Sequence, residues 1–271
     1  MPTRSQRFAV LCARLRAPLL GLAVAVFVIG VVLDVGRLEL VGLALLVVGL
    51  ALYFRVGTYR AEPTTVRSPV SGRWLAMNSP ATRVPSHGLH MYGQTYALDV
   101  VHEPEHEQRP AFGWRPVMRR PNEFPAFGQP VLAPADGVVV RVHDRERDHR
   151  SRNSWPALPY LLLEGRVREL LGPSRILGNH VVLDVGGSTF AAVAHLRRGS
   201  VRVRPGQHVA AGEQLAECGN SGNSSEPHVH AQLMDHSRVT RAAGVPMAFS
   251  QVEMDGRVTD GLPRNGQRFT A

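Results

Sequence analysis

Two histidines separated by one residue are the first feature of this sequence that could do chemistry. His228 and His230 follow a run rich in Asn, Ser and Gly and open an apolar segment typical of a strand. Because alternate residues of a strand point to the same face, the two imidazoles would lie side by side. One ring could bind a metal ion while its neighbour handles protons. The pair alone is a weak signal, because a strand histidine can equally be a hydrogen-bonded structural residue.

The composition limits the chemistry further. All 31 basic residues of the 271-residue chain are arginine, so Schiff bases, P-loop lysines and lysine-linked carriers are excluded. The two cysteines, Cys12 and Cys218, are too few for a thiolate zinc site or a disulfide framework. A metal ion in this chain would therefore use histidine and carboxylate ligands.

A second histidine pattern, His102-Glu-Pro-Glu-His106, matches the letters of the zincin signature H-E-x-x-H. That signature binds zinc only on a helix, where histidines four residues apart share a face. Pro104 lies inside the required turn, where it removes a backbone donor and clashes with the preceding turn. The sequence therefore predicts a charged loop here and no zincin site.

The segments around the His-x-His pair resemble the lysostaphin-type zinc metallopeptidases of family M23, in order as well as in content. The resemblance covers about half of the chain, from Gln94 to Asp235. The segments that carry it are GQPVLAPADGVVVRV (128–142), GNHVVLDVG (178–186), AVAHL (192–196) and VRVRPGQHVAAGEQLAECGNSGNSSEPHVHAQL (201–233). The resemblance implies that His230 and Asp99 are zinc ligands and that His195 and His228 are catalytic.

The third zinc ligand is where this sequence departs from the commonest family pattern. In that pattern the first histidine stands four positions before the aspartate, a place that Thr95 occupies here. Two histidines lie further upstream, at His87 and His90. The stretch resembles a longer-loop variant of the family, Ser-His-Gly followed by Gly-Gln-Thr-Tyr-Ala-x-Asp, which favours His87 and leaves His90 as the alternative. Either histidine requires the loop to fold back toward Asp99.

Two imidazoles and one carboxylate suit a three-ligand zinc site whose fourth position stays open for water. Zinc lowers the pKa of its water, and two nearby imidazoles can accept the proton and stabilise a tetrahedral oxyanion. The resemblance therefore implies a zinc metalloendopeptidase that cleaves peptide bonds of bacterial peptidoglycan. The particular bond is not indicated, because selectivity lies in loops such as 103–124 and 144–176.

A non-enzymatic alternative fits part of the same sequence. Residues 134–215 contain the pattern PADGVVV…PGQ.V..GE.L, which resembles the half-barrels of biotinyl and lipoyl carriers. The absence of lysine removes the carrier function. What remains is a catalytically inactive M23-like scaffold that binds the cell wall or activates another wall hydrolase. Loss of activity usually replaces metal or catalytic histidines, and only the first ligand departs from the pattern here.

The elements that would position these residues are mainly strands. Short β-type runs broken by Gly, Pro and Asn predict an antiparallel, mainly β domain over residues 70–271. The runs are Gln94–Val101, Pro130–Val142, His180–Val185, Thr189–Leu196, Gln207–Cys218 and Val229–Met234. Leucines at helical spacing predict a helical insertion over 156–171, ahead of the stop signal Gly172-Pro173. The polar segments 103–124 and 144–153 are predicted to be surface loops.

Residues 1–60 differ from the rest of the chain. The uncharged apolar runs Ala17–Leu33 and Leu40–Phe54 predict transmembrane helices at about 17–33 and 38–54, followed by a linker at 61–69. A buried helical hairpin of a soluble domain would show polar residues at helical period, and neither run does. A cleaved signal peptide is disfavoured because a second apolar run follows in place of a cleavage site. The sequence therefore predicts a multi-pass membrane anchor ahead of the M23-like domain.

Charge gives a conflicting indication of orientation. The formal net charge is +9, and residues 1–60 hold seven arginines against Asp34 and Glu39. Counting arginines near the apolar runs places both ends of the anchor, and hence the domain, in the cytoplasm. Peptidoglycan lies on the other side, and large domains do translocate against such a bias. We therefore expect an extracytoplasmic domain with peptidoglycan peptides and the lipid bilayer as partners. Scattered arginines and 6% aromatic residues argue against nucleic acid.

Overall fold

The computed structural model describes residues 3–271, which begin with two long apolar helices. α1 spans Arg4–Leu33 and α2 spans Gly36–Phe54. The turn between them is short because Asp34 adopts the left-handed conformation and its backbone N–H bonds to carbonyls of the last turn of α1. The helices form a tight antiparallel pair, in which a Cβ added at Gly42 would lie 2.6 Å from the backbone nitrogen of Phe27. Glycine is what permits this close approach.

Both helices are long and apolar enough to cross a membrane. In each apolar window only 17% of the residues are buried against the rest of the protein. A core helix of a soluble protein would bury most of such a surface. The exposed apolar side chains of this hairpin are therefore left for another medium or partner to cover.

α1 begins earlier than the expected helix at 17–33. Its first turns, Arg4–Arg16, lie against the domain and bury Ala9, Cys12 and the guanidinium of Arg16. The sequence prediction began the helix where the charges stop. The charges instead have partners, because Arg14 binds Asp235 at 2.9 Å. α2 likewise begins at Gly36, two residues before the expected start.

The rest of the chain is built on strands. They are β1 (Thr64–Val66), β2 (Arg73–Ala76), β3 (Leu98–His102), β4 (Pro130–Leu132), β5 (Gly137–His143), β6 (Asn179–Asp184), β7 (Phe190–Leu196), β8 (His208–Val209), β9 (Gln214–Glu217), β10 (Val229–Met234), β11 (Gly244–Val245), β12 (Met247–Met254), β13 (Arg257–Gly261) and β14 (Arg268–Thr270). The main sheet has the order β1-β12-β14-β2-β3-β10-β7-β6-β5-β8, with β11 added to β10 and β13 to β12. β4 and β9 form a separate pair. Of the pairings between these strands within residues 3–271, only β1 with β12 is parallel, so the predicted antiparallel, mainly β domain is confirmed.

The two faces of the central strands β3, β10 and β7 bury different residues. One face contributes Leu98, Val193 and Leu233 to the main hydrophobic core. The other face contributes Met234 to a second core, which also contains Tyr53 from the last turn of α2. The helical hairpin therefore packs against the same sheet face that carries Asp99 and His230.

The predicted helical insertion is present. After a 3₁₀ turn at 155–157, α3 spans Leu158–Leu171 and α4 spans Pro173–Leu177. Pro159 sits in the first turn of α3, where a missing N–H costs nothing, and Gly172 ends the helix with a φ of 109°. No residue of α3 is buried.

Two segments differ from their sequence-based expectations. The expected linker at 61–69 contains β1, whose residues pair with β12. The segment 144–153, expected to be an exposed loop, buries Glu146, His149 and Arg152. Most of its buried polar groups form hydrogen bonds inside the protein, so their polarity was a wrong indication of exposure.

Candidate metal centre and active site

Asp99 and His230 meet because their strands are neighbours. Asp99 on β3 is the direct cross-strand partner of His230 on β10. The Nδ1 atom of His230 lies 2.8 Å from Oδ1 of Asp99. Both side chains are buried. Strand register therefore sets this contact, and no flexible loop is involved.

His87 reaches the same place by way of a loop. The backbone N–H of Ser86 donates to the carbonyl of Thr95 at 3.2 Å, which closes the segment between them. Gly93 within the segment has a φ of 73°, a conformation that glycine adopts without strain. The Nε2 atom of His87 then lies 2.9 Å from Oδ2 of Asp99. The loop thus folds back toward Asp99 and brings His87 with it.

Both histidines beside Asp99 are held in one tautomer by partners on their far side. Gln232 donates its Nε2 to a backbone carbonyl at 2.8 Å, so its Oε1 accepts from Nε2 of His230 at 2.9 Å. Ser86 Oγ donates to a backbone carbonyl at 3.2 Å and accepts from Nδ1 of His87 at 2.9 Å. In the neutral form of each ring, the nitrogen that faces Asp99 is therefore the one that carries the lone pair.

These donors fit a shared cation. His87, Asp99 and His230 each offer one ligand atom, and the three atoms lie within 4.8 Å of one another. Two imidazole lone pairs and a carboxylate at such distances repel one another unless positive charge lies between them. Two His nitrogens and one Asp oxygen are a ligand set that zinc accepts, and far-side partners such as Gln232 are typical of metal-binding histidines.

The charge of Asp99 supports the same interpretation. Burial alone would raise the pKa of this carboxyl, but the neighbouring His87, His228 and His230 hold its pKa well below the usual range. A carboxylate must be ionised to bind a metal. Asp99 is therefore already in the ligand form at neutral pH.

His90, the alternative to His87, occupies a different environment. Its ring is fully buried and its Nδ1 contacts Oγ1 of Thr95 at 3.0 Å. Its backbone carbonyl accepts from the guanidinium of Arg16 at 2.6 Å. Burial and the nearby Arg16 charge lower the pKa of His90 to about 4. The geometry therefore favours His87 as the third ligand and places His90 in the contact between α1 and the domain.

His195 points into the site because the strand carrying it is bulged. Simple alternation along β7 would place His195 on the face of Val193, away from His230. The register of β7 against β6 shifts between Asn179 and Val181, and His195 has a φ of 61°. Such a bulge re-aims a side chain. As a result the His195 ring centroid lies 5.7 Å from that of His230.

His195 and His228 form a second pair of imidazoles beside Asp99. Their ring centroids are 4.7 Å apart, and Nε2 of His228 lies 3.6 Å from Oδ1 of Asp99. Nδ1 of His195 donates to the carbonyl of Ser221 at 2.8 Å, and Nδ1 of His228 donates to the carbonyl of Glu226 at 2.8 Å. Since carbonyls only accept, each ring keeps Nε2 for the site.

Burial, with the nearby His228 and His230, lowers the pKa of His195 well below its usual value. The ring is therefore neutral at pH 7. A neutral imidazole with a free Nε2 can accept a proton, which is the property that a general base requires.

The loop before the His-x-His pair is held by the buried segment 144–153. The backbone N–H of Asn220 donates to Oδ1 of Asp148 at 2.8 Å, and the Asn220 amide donates to the carbonyl of His149 at 2.7 Å. This fixes the loop that supplies the Ser221 carbonyl to His195. Sequence reasoning missed Asp148 and His149, and only the Asn-, Gly- and Ser-rich composition of 219–225 signals that a loop there needs outside partners.

The H-E-x-x-H pattern takes no part in this site. His102 ends β3, its ring lies 4.9 Å from that of Trp74, and its Nδ1 contacts the carbonyl of Pro125 at 3.2 Å. Residues 103–106 are not helical. The two histidines therefore do not share a helical face, as Pro104 predicts.

The four histidines and Asp99 line a cleft of about 380 Å³. One wall is formed by α3, through Leu161, Gly165 and Glu169. Tyr53, at the end of α2, also lines the cleft and donates its hydroxyl to the Glu169 carboxylate. The membrane-type hairpin and the helical insertion are thus both in contact with the candidate active site.

Comparison with known proteins identifies a family to which part of the chain is similar. The family model described as Peptidase family M23 matches residues 162–242, a stretch that contains His195, His228 and His230. Residues 162–242 are therefore similar to M23 peptidases, and two helices that are long and apolar enough to cross a membrane precede them in the chain. The resemblance stated from the sequence is confirmed.

A curated relative is the peptidoglycan DD-endopeptidase ShyA of Vibrio cholerae serotype O1, 30% identical over 126 residues. The match covers 46% of this chain and 22% of that protein, so the chain spans about a fifth of the relative's length. Solved structures that resemble the chain include a zinc-containing peptidase from Vibrio cholerae (TM-score 0.31, 19% identity, 66% of this chain and 36% of the other). Another is the catalytic domain of lysostaphin from Staphylococcus simulans (TM-score 0.33, 16% identity, 64% of this chain and 88% of the other).

Proposed function

We propose that this chain is a membrane-anchored zinc metalloendopeptidase that hydrolyses peptide bonds of bacterial peptidoglycan. The observation that carries the proposal is the convergence of five side chains on one point of the sheet: His87, Asp99, His195, His228 and His230. Three of them form a zinc-type ligand set, and two present a free Nε2 beside it. The relative described as a peptidoglycan endopeptidase supports wall peptides as the substrate class.

The proposed roles follow from the hydrogen bonds. His87, Asp99 and His230 hold the zinc ion, which when bound supplies a Lewis acid that acidifies water and polarises a carbonyl. His195 accepts a proton at Nε2, since its Nδ1 is committed to Ser221 and its lowered pKa keeps the ring neutral. His228 places its Nε2 3.6 Å from the Asp99 carboxylate, and we assign it the role of stabilising the oxyanion.

The proposal includes a bilayer crossed by α1 and α2, with the domain on its outer side. The exposed apolar surface of the hairpin supports the crossing of a bilayer by α1 and α2. The arginine bias is weak evidence against an external domain, because two of the arginines have partners inside the protein. Arg14 binds Asp235, and Arg16 binds the backbone carbonyls of Leu52, Val56 and His90. These two arginines have a structural reason to be present that is independent of orientation.

The test separates metal binding from chemistry. The full chain, purified in detergent and loaded with zinc, is incubated with peptidoglycan while soluble peptides are measured. We expect His195→Ala and His228→Ala to keep about one zinc per chain and to lose at least ~10²-fold in hydrolysis, the scale of an acid–base or oxyanion partner. His208→Ala, on the exposed end of the sheet, is the matched control and should change neither quantity. A zinc-loaded wild-type chain without hydrolysis would favour the inactive scaffold.

A further inference from the structure

α3 is an unusual helix for the surface of a water-soluble domain. None of its 14 residues is buried, although eight of them are Leu, Val or Tyr. Leu163, Val167 and Leu170 are 67%, 49% and 88% exposed. Their spacing of four and three residues places them on one face. Exposed apolar stripes of this kind mark sites of contact with a partner or a membrane.

Other residues of α3 contact the protein. Leu161, Gly165 and Glu169 line the candidate active site. Glu164 binds the buried guanidinium of Arg152 and also pairs with Arg168 at 2.9 Å. The face formed by Leu163, Val167 and Leu170, which we call the outer face of α3, therefore points away from the domain.

The position of α3 relative to the hairpin indicates what covers the outer face. Tyr53 lies in the last turn of α2, where an apolar run ends at Arg55. If α2 crosses a bilayer, Tyr53 lies at its surface, as tyrosines at membrane interfaces commonly do. The Tyr53 hydroxyl donates to Glu169, so α3 is in direct contact with the end of α2 that would lie at the bilayer surface. Leu170 follows Glu169 immediately.

Aromatic side chains extend the apolar surface at the other end of α3. Trp155, in the turn that leads into the helix, is 53% exposed and lies with its ring 4.8 Å from that of Phe112. Trp114, 70% exposed, lies 6.4 Å from Trp155. Large amphipathic rings of this kind are enriched where protein meets lipid headgroups.

We propose that the outer face of α3 rests in the headgroup–acyl boundary of the bilayer that α1 and α2 cross, as a second membrane contact. This inference rests on the proposed anchor. An amphipathic helix lying in the interface buries its apolar face by ~5–10 Å, without spanning the bilayer. Because the opposite face of α3 is a wall of the cleft, the active site then opens beside the membrane surface. Peptide chains that run close to the bilayer would be the substrates within reach.

Site-directed fluorescence in vesicles tests this contact. The full chain is reconstituted into phosphatidylethanolamine–phosphatidylglycerol vesicles after labelling single cysteines at Leu163→Cys or Leu170→Cys with an environment-sensitive probe. Val258→Cys on β13, 68% exposed and aliphatic, is the matched control far along the sheet. Val47→Cys on α2, 60% exposed, reports on the anchor. The native Cys12 and Cys218 are buried, so we expect the probe to react with them slowly. Labelling of the wild-type chain measures this background.

Lipids carrying a nitroxide near the headgroup should quench the probes at Leu163 and Leu170 at least about threefold more than the probe at Val258, since shallow burial brings them next to the quencher. Aqueous iodide should show the reverse order. If both α3 probes are quenched only as much as the probe at Val258 while Val47 is shielded from iodide, the α3 contact is wrong and the anchor stands. Exposure of Val47 to iodide as well would overturn the anchor and this inference together.

Discussion

At the scale of single residues, the site depends as much on acceptors outside it as on the histidines themselves. Each of the four rings has one nitrogen bound by a fixed oxygen, from Ser86, Gln232 or the carbonyls of residues 221 and 226. The other nitrogen of each ring is thereby left for the cleft. The rings of His87 and His230 face the Asp99 carboxylate as metal ligands would, and those of His195 and His228 lie beside it. Histidine can therefore take two roles in this site, and the partner of each ring decides which one.

The ligand assignment leads to a prediction for four alanine variants of the full chain. His87→Ala, Asp99→Ala and His230→Ala should each lose most bound zinc, because the removal of one of three ligands leaves too few for stable binding. His90→Ala should retain about one zinc per chain, since its ring contacts Thr95 and lies outside the ligand set. Metal content by mass spectrometry, after gel filtration to confirm folding, is the measurement. Loss of zinc in His90→Ala with retention in His87→Ala would reverse the assignment.

Only some of the residues of the candidate site could be predicted from the sequence. The pair His228 and His230 is visible as a strand pattern, and the family resemblance points to Asp99 and His195. The choice between His87 and His90 depends on how a loop closes, and two residues with positive φ inside 91–96 decide that. Partners such as Gln232 carry no signal, because a glutamine on a strand is ordinary until its neighbours are known.

At the scale of elements, regular strands were predicted well and irregular ones were not. The run Val229–Met234 coincides with β10. The run Gln94–Val101 does not coincide with a strand, since its first residues form a 3₁₀ turn and β3 starts at Leu98. Alternation in the sequence also gives His195 the wrong face, because a bulge in β7 changes the register. Bulges and tight turns depend on the neighbouring strand and are therefore invisible in a single-strand pattern.

The helical hairpin gives a prediction at the same scale. A Cβ at Gly42 would meet the backbone of Phe27, whereas a Cβ at Gly21 would meet nothing within 4 Å. Gly42→Ile should therefore separate the helices and destabilise the full chain in detergent by about 1–3 kcal/mol, the scale of overpacking. Gly21→Ile is the matched control and should stay within about 0.5 kcal/mol of wild type. Thermal unfolding followed by tryptophan fluorescence compares the two; equal stabilities would mean that the helices do not pack as described.

At the scale of the whole molecule, the helical hairpin and the domain form one unit. Arg16 on α1 donates to the carbonyls of Leu52, Val56 and His90, so a single buried guanidinium joins both helices and the loop that follows His87. Burying a guanidinium is costly unless its donors are satisfied, and here they bind three carbonyls. The sequence predicted an anchor, a linker at 61–69 and a domain over 70–271. The contacts of Arg16 and the pairing of β1 with β12 instead tie the cleft to the membrane-type hairpin.

This arrangement makes the orientation of the chain a sharp prediction. Because α1 and α2 form a hairpin, residue 3 and the domain lie on the same side of any bilayer that the hairpin crosses, and Asp34 lies on the other. Alkaline phosphatase fused after Ala271 should be active, and the domain should be accessible to protease in intact cells, as a wall substrate requires. The same reporter fused after Asp34 should be inactive, which makes it the matched control. An inactive fusion after Ala271, with a fluorescent and protease-protected reporter at that position, would place the domain in the cytoplasm and replace wall peptidoglycan by a cytoplasmic peptide as the substrate of this site.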